Sequence, residues 1–290
     1  MKIIYILVIS FLLLINANAI SNKKEIANVV SVKWLKNNLN NKNLVILDIR
    51  EYKDYKKGHV KGAINLPGLK NLFDEKTWMM PKFNFLKELF SNAGIDNNSL
   101  VVAYDNGDFF WAARLYWILE VLGHQNVGIL KYSYGKYLEN NLPISKKDTI
   151  AIPTNFVPRI NNEQIQTKLS TLLSIGKKTI IDGRAKSHYN GKESITKRYG
   201  HIPTAKNYAC TNNYQVTANG NKMKDFDELK KVYKDIPKDK EIILYCQGGA
   251  EAALNYIVLT KLGYKASIYD GSWKEWGNDQ ALPITNPSKK

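Results

Sequence analysis

The sequence predicts an α/β protein made of two tandem copies of one domain, each a parallel β-sheet with helices on both faces. Three observations carry this. The chain matches itself, block by block and in the same order. Short apolar runs alternate with longer helix-forming stretches inside each copy, and such alternation implies crossover connections and parallel pairing. Finally, 290 residues at 44% apolar content exceed what one compact core usually holds.

The N-terminus is set aside first. Lys2 precedes an apolar run over residues 3–15, which ends near Ala17-Asn18-Ala19. That is the pattern of a secretory signal peptide over residues 1–19. The run is shorter than the ~18 residues a membrane helix needs, and no later run is long enough. The expectation is an exported protein, periplasmic if the source is a Gram-negative bacterium, with no stable membrane span after processing.

The first domain is then expected over residues 20–141, with buried strands at residues 44–47 and 100–104. Ile46-Leu47-Asp48-Ile49-Arg50 is matched by Ile180-Ile181-Asp182-Gly183-Arg184, and Gly58-His59-Val60 by Gly200-His201-Ile202. Val101-Val102-Ala103-Tyr104-Asp105 is matched by Ile242-Ile243-Leu244-Tyr245-Cys246, and Leu122-Gly123 by Leu262-Gly263. The offsets at positions 48, 59, 105 and 123 are 134, 142, 141 and 140. Residues 142–162, with prolines at 143, 153 and 158, read as a linker, and residues 163–290 as the second domain.

The formal charge of +16 suggests anionic partners, but only five of the 42 basic residues are Arg. Nucleic-acid readers lean on Arg for bidentate base contacts, and the lysines here are scattered as pairs rather than gathered in a stripe. A solvated basic surface is the reading, with no nucleic-acid partner.

Chemistry concentrates at Cys246. A strand over residues 241–245 and a helix over residues 252–262, closed by Gly263, flank Cys246-Gln247-Gly248-Gly249-Ala250-Glu251. The two glycines let successive N–H groups converge on one point. A sulfur at that point, just before a helix N-terminus, is expected to have its pKa lowered toward the nucleophilic thiolate. A carboxylate one turn away, Glu251, opposes that. Cys210 reads as a buried small hydrophobe, and a bridge between it and Cys246 as an oxidised dead end.

Together these features resemble the tandem rhodaneses, the family of thiosulfate and 3-mercaptopyruvate sulfurtransferases. The likeness rests on Trp34-Leu35, the two Asp-x-Arg strand ends, the two Gly-His turns, the cysteine loop, and Tyr269-Asp270-Gly271-Ser272-Trp273-Lys274-Glu275-Trp276. It spans nearly all of the chain after the leader. The resemblance implies a rhodanese fold in both copies. It makes Cys246 the sulfur-carrying residue, with Gln247, Gly248, Gly249, Ala250 and Glu251 as its active-site loop, and the first domain a silent copy with Asp105 in place of Cys. It also implies Phe110 and Trp111 as a cleft wall from the first domain, and Arg184, Lys197 and Arg198 as cations for an anionic donor. Where many members have a further Arg, this chain has Asn190. The implied donor is thiosulfate or 3-mercaptopyruvate, the acceptor cyanide or a thiol, with no cofactor and no metal. His59 and His201 hold the same place in both copies, so a turn-stabilising role is expected for them.

Two rivals are weighed. Some dual-specificity phosphatases share this fold and a loop-borne Cys, but their loop ends in an Arg that clamps phosphate, and no Arg lies in residues 246–252. A non-catalytic persulfide carrier working with exported redox partners is the other, resting on Glu251. The loop is acidic and holds no cation, so it should bind the thiosulfate dianion poorly, and turnover of mercaptopyruvate is expected to be at least comparable to that of thiosulfate.

Overall fold

Two five-stranded sheets frame the molecule, and every pairing within them is parallel. In the computed structural model, which describes residues 24–288, the first sheet runs Val29–Val30, Val127–Leu130, Leu100–Tyr104, Leu44–Asp48, Ile64–Asn65 across its width. The second runs Ile165–Gln166, Ala266–Tyr269, Ile242–Tyr245, Thr179–Asp182, Lys206–Asn207. The order is the same in both, as the internal repeat requires. Central strands such as Leu100–Tyr104 and Ile242–Tyr245 are buried at every position, which is what an unbroken aliphatic run becomes when helices cover both faces. The leader read over residues 1–19 lies outside the described residues. Among the described residues no helix is long and apolar enough to cross a membrane.

A buried polar lock recurs at the strand ends. Asp48 receives Arg50 Nε (2.9 and 3.1 Å) and Nη2 (2.5 Å) and the Tyr104 hydroxyl (2.6 Å), while Arg50 Nη2 also donates to the Gly58 carbonyl at 2.7 Å. In the second copy Asp182 receives Arg184 Nε (3.0 and 3.1 Å) and Nη2 (2.6 Å) and the Tyr245 hydroxyl (2.7 Å), and Arg184 Nη2 reaches the Gly200 carbonyl at 2.8 Å. His59 and His201 stack on Tyr55 and Tyr189 at 3.6 and 3.8 Å, and each donates Nδ1–H to that tyrosine's own carbonyl. Each histidine is also pinned by a short antiparallel contact, His59 to Ser145 and His201 to Thr285. The turn-stabilising role expected of the histidines fits this geometry.

The contact from Ser145 moves a boundary. Ile144–Ser145, read as linker, pairs with His59–Val60 and so belongs to the first domain. The rest of residues 142–162 is held tightly as well: Phe156 is buried edge-on against Phe90, and Arg159 N donates to Leu122 O at 2.8 Å. The prolines mark irregular backbone, not freedom.

The domains meet through helices Phe110–Val121 and Ala250–Lys261, which pack on one another. Both are buried around most of their circumference, and a helix with no solvent face needs no polar stripe. Each domain also sends an arm over the other from the same interval of its chain, between its edge strand and the following helix. Residues 72–81 of the first domain place Trp78 against Gly248, and Met80 N donates to Asp270 Oδ2 at 2.6 Å. The hairpin Tyr214–Thr217 and Gly220–Met223 of the second domain answers it. Ser133 N donates to Asn221 O at 3.0 Å, Met223 N to Lys131 O at 2.9 Å, and Asn221 Nδ2 to Gly107 O at 2.9 Å.

One buried base in this frame gives a pH prediction. His124 is 2% exposed beside Phe156, and burial pushes its pKa down to about 4. The unfolded chain binds that proton near pH 6.5, so stability is lost as pH falls through 6.5 toward 4, by about 3 kcal/mol at the lower end. Buried Asp105, pushed up to about 6, titrates in the same window with the opposite sign. The expected result is therefore a difference: urea unfolding of wild type and His124→Phe should diverge below pH 6.5, with wild type losing the more.

Candidate active site

Strand Ile242–Tyr245 delivers Cys246 to the carboxyl edge of the second sheet, where crevices of parallel sheets lie. The helix that follows begins at Ala250, two residues earlier than the sequence suggests, so Ala250 and Glu251 form its first turn. Gly249 makes the early start possible. It sits at the N-cap with φ 92°, a conformation open to glycine at little cost. A Cβ there would lie 2.5 Å from Arg114 Nη1 and 3.0 Å from Asp270 Oδ1, so space as well as φ excludes a side chain.

Cys246 is 1% exposed, and its Sγ accepts the Gly249 N–H at 3.0 Å. The loop is braced from behind: Cys246 N donates to Ser272 Oγ (3.2 Å), Trp273 N to Cys246 O (2.9 Å) and Lys274 N to Gln247 O (2.9 Å). The expected lowering of the thiol pKa is corrected. Burial pushes it up to about 12, the Glu251 carboxylate adds to the push, and the N–H groups of Ala252, Gly248 and Gly249 only partly offset them. Cys210 is buried and free, like Cys246, and its main-chain N–H donates to Gly183 O at 2.9 Å.

The first copy shows what such a loop holds. Asp105 stands in the place of Cys246 and is itself buried; its Oδ1 accepts the N–H of Gly107 (2.8 Å) and Phe109 (3.1 Å), and Oδ2 that of Ala112 (3.2 Å). A fixed anion fills the amide nest. Asp105→Ala is expected to leave sulfur loading of Cys246 intact while costing about 2 kcal/mol or more, because buried N–H groups lose their acceptor. Urea unfolding and mass spectrometry of the loaded protein check the two halves separately.

The candidate anion-binding cations fare differently. Arg184 is fully buried, spent on Asp182 and Gly200 in the lock that Arg50 repeats in the first copy. It is a structural residue, which corrects its assignment to the substrate. Arg198 donates to the carbonyls of Leu282 (2.7 Å), Trp276 (2.8 Å) and Asp279, so it staples the C-terminal segment. Lys197 is exposed, with its main-chain N–H on Asn278 Oδ1 at 3.1 Å. Asn190 caps a short helix through its backbone. Phe110 and Trp111 lie half-buried on the first turn of the interface helix, 5.1 Å apart, with Trp111 edge-on to Phe73 at 5.8 Å.

The residues that do border the loop were not singled out from sequence. Arg114 of the first domain is fully buried and pairs with Asp270 at 2.5 Å beside Gly249. Trp78 lies over Gly248, and the Lys274 ammonium sits 3.6 Å from the centre of its indole ring. Asp270 and Lys274 carried a signal: they follow strand Ala266–Tyr269, the neighbour of the cysteine strand. Arg114 and Trp78 carried none. No group of three or more His, Cys, Asp or Glu able to hold a metal occurs among the described residues.

Comparison with known proteins agrees with this architecture. The family model described as "Rhodanese-like domain" matches residues 31–140 and again 166–279. A thiosulfate sulfurtransferase of Corynebacterium glutamicum is 30% identical over 272 residues, covering 88% of this chain and 89% of the relative. The sulfur carrier protein TtuD of Thermus thermophilus is 28% identical, covering 88% and 95%. The crystal structure of SseA from Escherichia coli, a 3-mercaptopyruvate sulfurtransferase, superposes with a TM-score of 0.76 at 25% identity, covering 86% of this chain and 99% of that one. The chain belongs to the rhodanese family, in the tandem-domain form of the thiosulfate and 3-mercaptopyruvate sulfurtransferases.

Proposed function

We propose that this sulfurtransferase carries sulfur as a persulfide on Cys246, taking it from thiosulfate or 3-mercaptopyruvate and passing it to cyanide or a thiol. One observation carries the reading: a free cysteine sulfur sits in a turn of inward-pointing amides at the N-terminus of a twelve-residue helix, in the place where the silent copy holds a carboxylate. Those amides suit a terminal persulfide sulfur, which is anionic and lies one bond further out. Cys246 attacks the outer sulfur of the donor, the donor remnant leaves, and a thiophilic acceptor then removes the sulfur. The residues beside the loop able to meet the donor are Lys274 and Trp78, and the reading keeps exposed Lys197 as a further cation and Phe110 and Trp111 as the wall from the first domain. The leader read over residues 1–19 would place the reaction outside the cytoplasm.

A second reading, a persulfide carrier that hands sulfur to a partner protein, is favoured by the deep burial of Cys246 and by Glu251, which holds the thiol protonated. One experiment separates them. The protein is incubated with each donor and the peptide holding Cys246 is weighed, then cyanide is added and thiocyanate measured. One added sulfur with repeated turnover supports the enzyme. One added sulfur with a single turnover supports the carrier, and no added sulfur from either donor sinks both.

A further inference from the structure

The loop contains one group that sulfur chemistry with thiosulfate does not require. Glu251 stands in the first turn of helix Ala250–Lys261, with the Cys246 thiol and the Gln247 N–H among the groups that act on its buried carboxyl. Its Oε2 is buried with no partner. The other carboxylates around the loop are fully engaged. Asp182 is spent on Arg184 and Tyr245, and Asp270 on Arg114 and Met80. Among the described residues no arginine forms an ion pair with Glu251: Arg184 and Arg114 pair with Asp182 and Asp270, and Arg198 donates to backbone carbonyls. Besides Cys246, the titratable groups whose charges bear on this carboxyl are Asp182, Arg184, Cys210 and Tyr214. A thiol buried this deeply needs a base at hand to ionise, and a buried carboxyl with a free oxygen is suited to that task.

We propose that Glu251 is a catalytic proton-transfer residue, taking the Cys246 proton during attack and returning it to the departing group, and that the site is therefore built for sulfur donors whose leaving group must gain a proton. This rests on the persulfide reading above and names the donor class within it. The step balances. The Cys246 S–H proton passes to the Glu251 carboxylate, and the sulfur lone pair forms an S–S bond to the donor's terminal sulfur. The bond behind that sulfur breaks, and its electron pair leaves with the remnant. With a thiol persulfide the remnant is a thiolate. With 3-mercaptopyruvate it is the enolate of pyruvate, the transferred sulfur being oxidised and the carbon it leaves reduced. Both remnants are strong bases, and each takes the proton back from Glu251. Sulfite, the remnant of thiosulfate, leaves readily without that proton, and the thiosulfate dianion must approach a carboxylate that repels it.

Glu251→Gln keeps the shape and removes the base. Sulfur loading of Cys246 in a single turnover, followed by mass spectrometry, is measured with 3-mercaptopyruvate, with glutathione persulfide and with thiosulfate at neutral pH. The substitution should slow loading from the first two by roughly tenfold to a hundredfold and leave loading from thiosulfate within roughly threefold, because sulfite leaves without a proton and the removal of a like charge offsets the loss of the base. Alkylation of Cys246 by iodoacetamide, whose iodide leaves without a proton, should change as little as thiosulfate loading in the same variant; a residue with only a packing role would not divide the reactions by leaving group. Equal slowing with all three donors, or a wild type that loads fastest from thiosulfate, overturns the assignment to Glu251 while leaving the persulfide intact. If wild type loads from none of them, the persulfide reading itself fails.

Discussion

Cys246→Ser should reduce sulfur transfer by at least about a thousandfold, to the uncatalysed background, while the protein stays folded. The serine hydroxyl can take the Gly249 N–H that Sγ accepts now, so the turn keeps its shape and its bracing from Ser272, Trp273 and Lys274. It cannot hold a sulfane sulfur. Cys210 will not replace it, because it lies buried in the short helix Cys210–Asn213 and not in the turn whose amides meet the Cys246 sulfur. Turnover with either donor and cyanide checks the loss, and circular dichroism checks the fold. Added sulfur on the Cys210 peptide of the variant would move the site.

The second large effect concerns the ion pair that no reading of the sequence reveals. Arg114 and Asp270 lie 156 positions apart, in different domains, and meet beside Gly249 with the arginine fully buried. Arg114→Met leaves the buried Asp270 side chain without its cation and with the Met80 N–H still donating to it, and should cost about 3–5 kcal/mol. Asp270→Asn should destabilise for the same reason seen from the other side. The double variant should cost less than the sum of the two by about 2 kcal/mol, because removing both charges leaves neither stranded. Urea unfolding of the four proteins gives the coupling directly, and additive losses would mean that the pair does not act as a unit.

These two sites also mark how far the sequence could be read. The frame was legible because one set of residues builds each strand end twice: Asp-x-Arg, Gly-His and the tyrosine of the third block recur since the buried lock needs all of them. The same repetition held the answer for Arg184. Arg50 occupies its place in the first copy and makes the same bonds, so repeated position marks this arginine as structural just as it marks the histidines. A lone sequence displays a charge without its partner, and so a buried pair looks like an open site. The early helix start at Ala250 was hidden by the Gly-Gly pair, which breaks helices in most settings and caps one here. Residues 144–145 were taken for linker because a two-residue edge pairing leaves no periodicity to detect. At Cys246 the glycines announce the amides but not the depth at which they work, and depth decides the direction in which the thiol pKa moves.

The exchanged arms set an order of events during synthesis. Domains generally fold as units from the N-terminus while the chain is still being made. The first domain therefore takes shape with its Asp105 loop bare, since the hairpin that covers Gly107 and Ser133 belongs to residues 214–223 and is not yet made. A carboxylate satisfied by three amides can wait in water without harm. The reverse holds for the later half, where a bare reactive sulfur would be open to oxidants. By the time Cys246 is added to the chain, the Trp78 arm that lies over its loop already exists. Placing the Asp105 copy first lets a loop without a thiol bear the period of exposure and gives the sulfur its shelter as it forms.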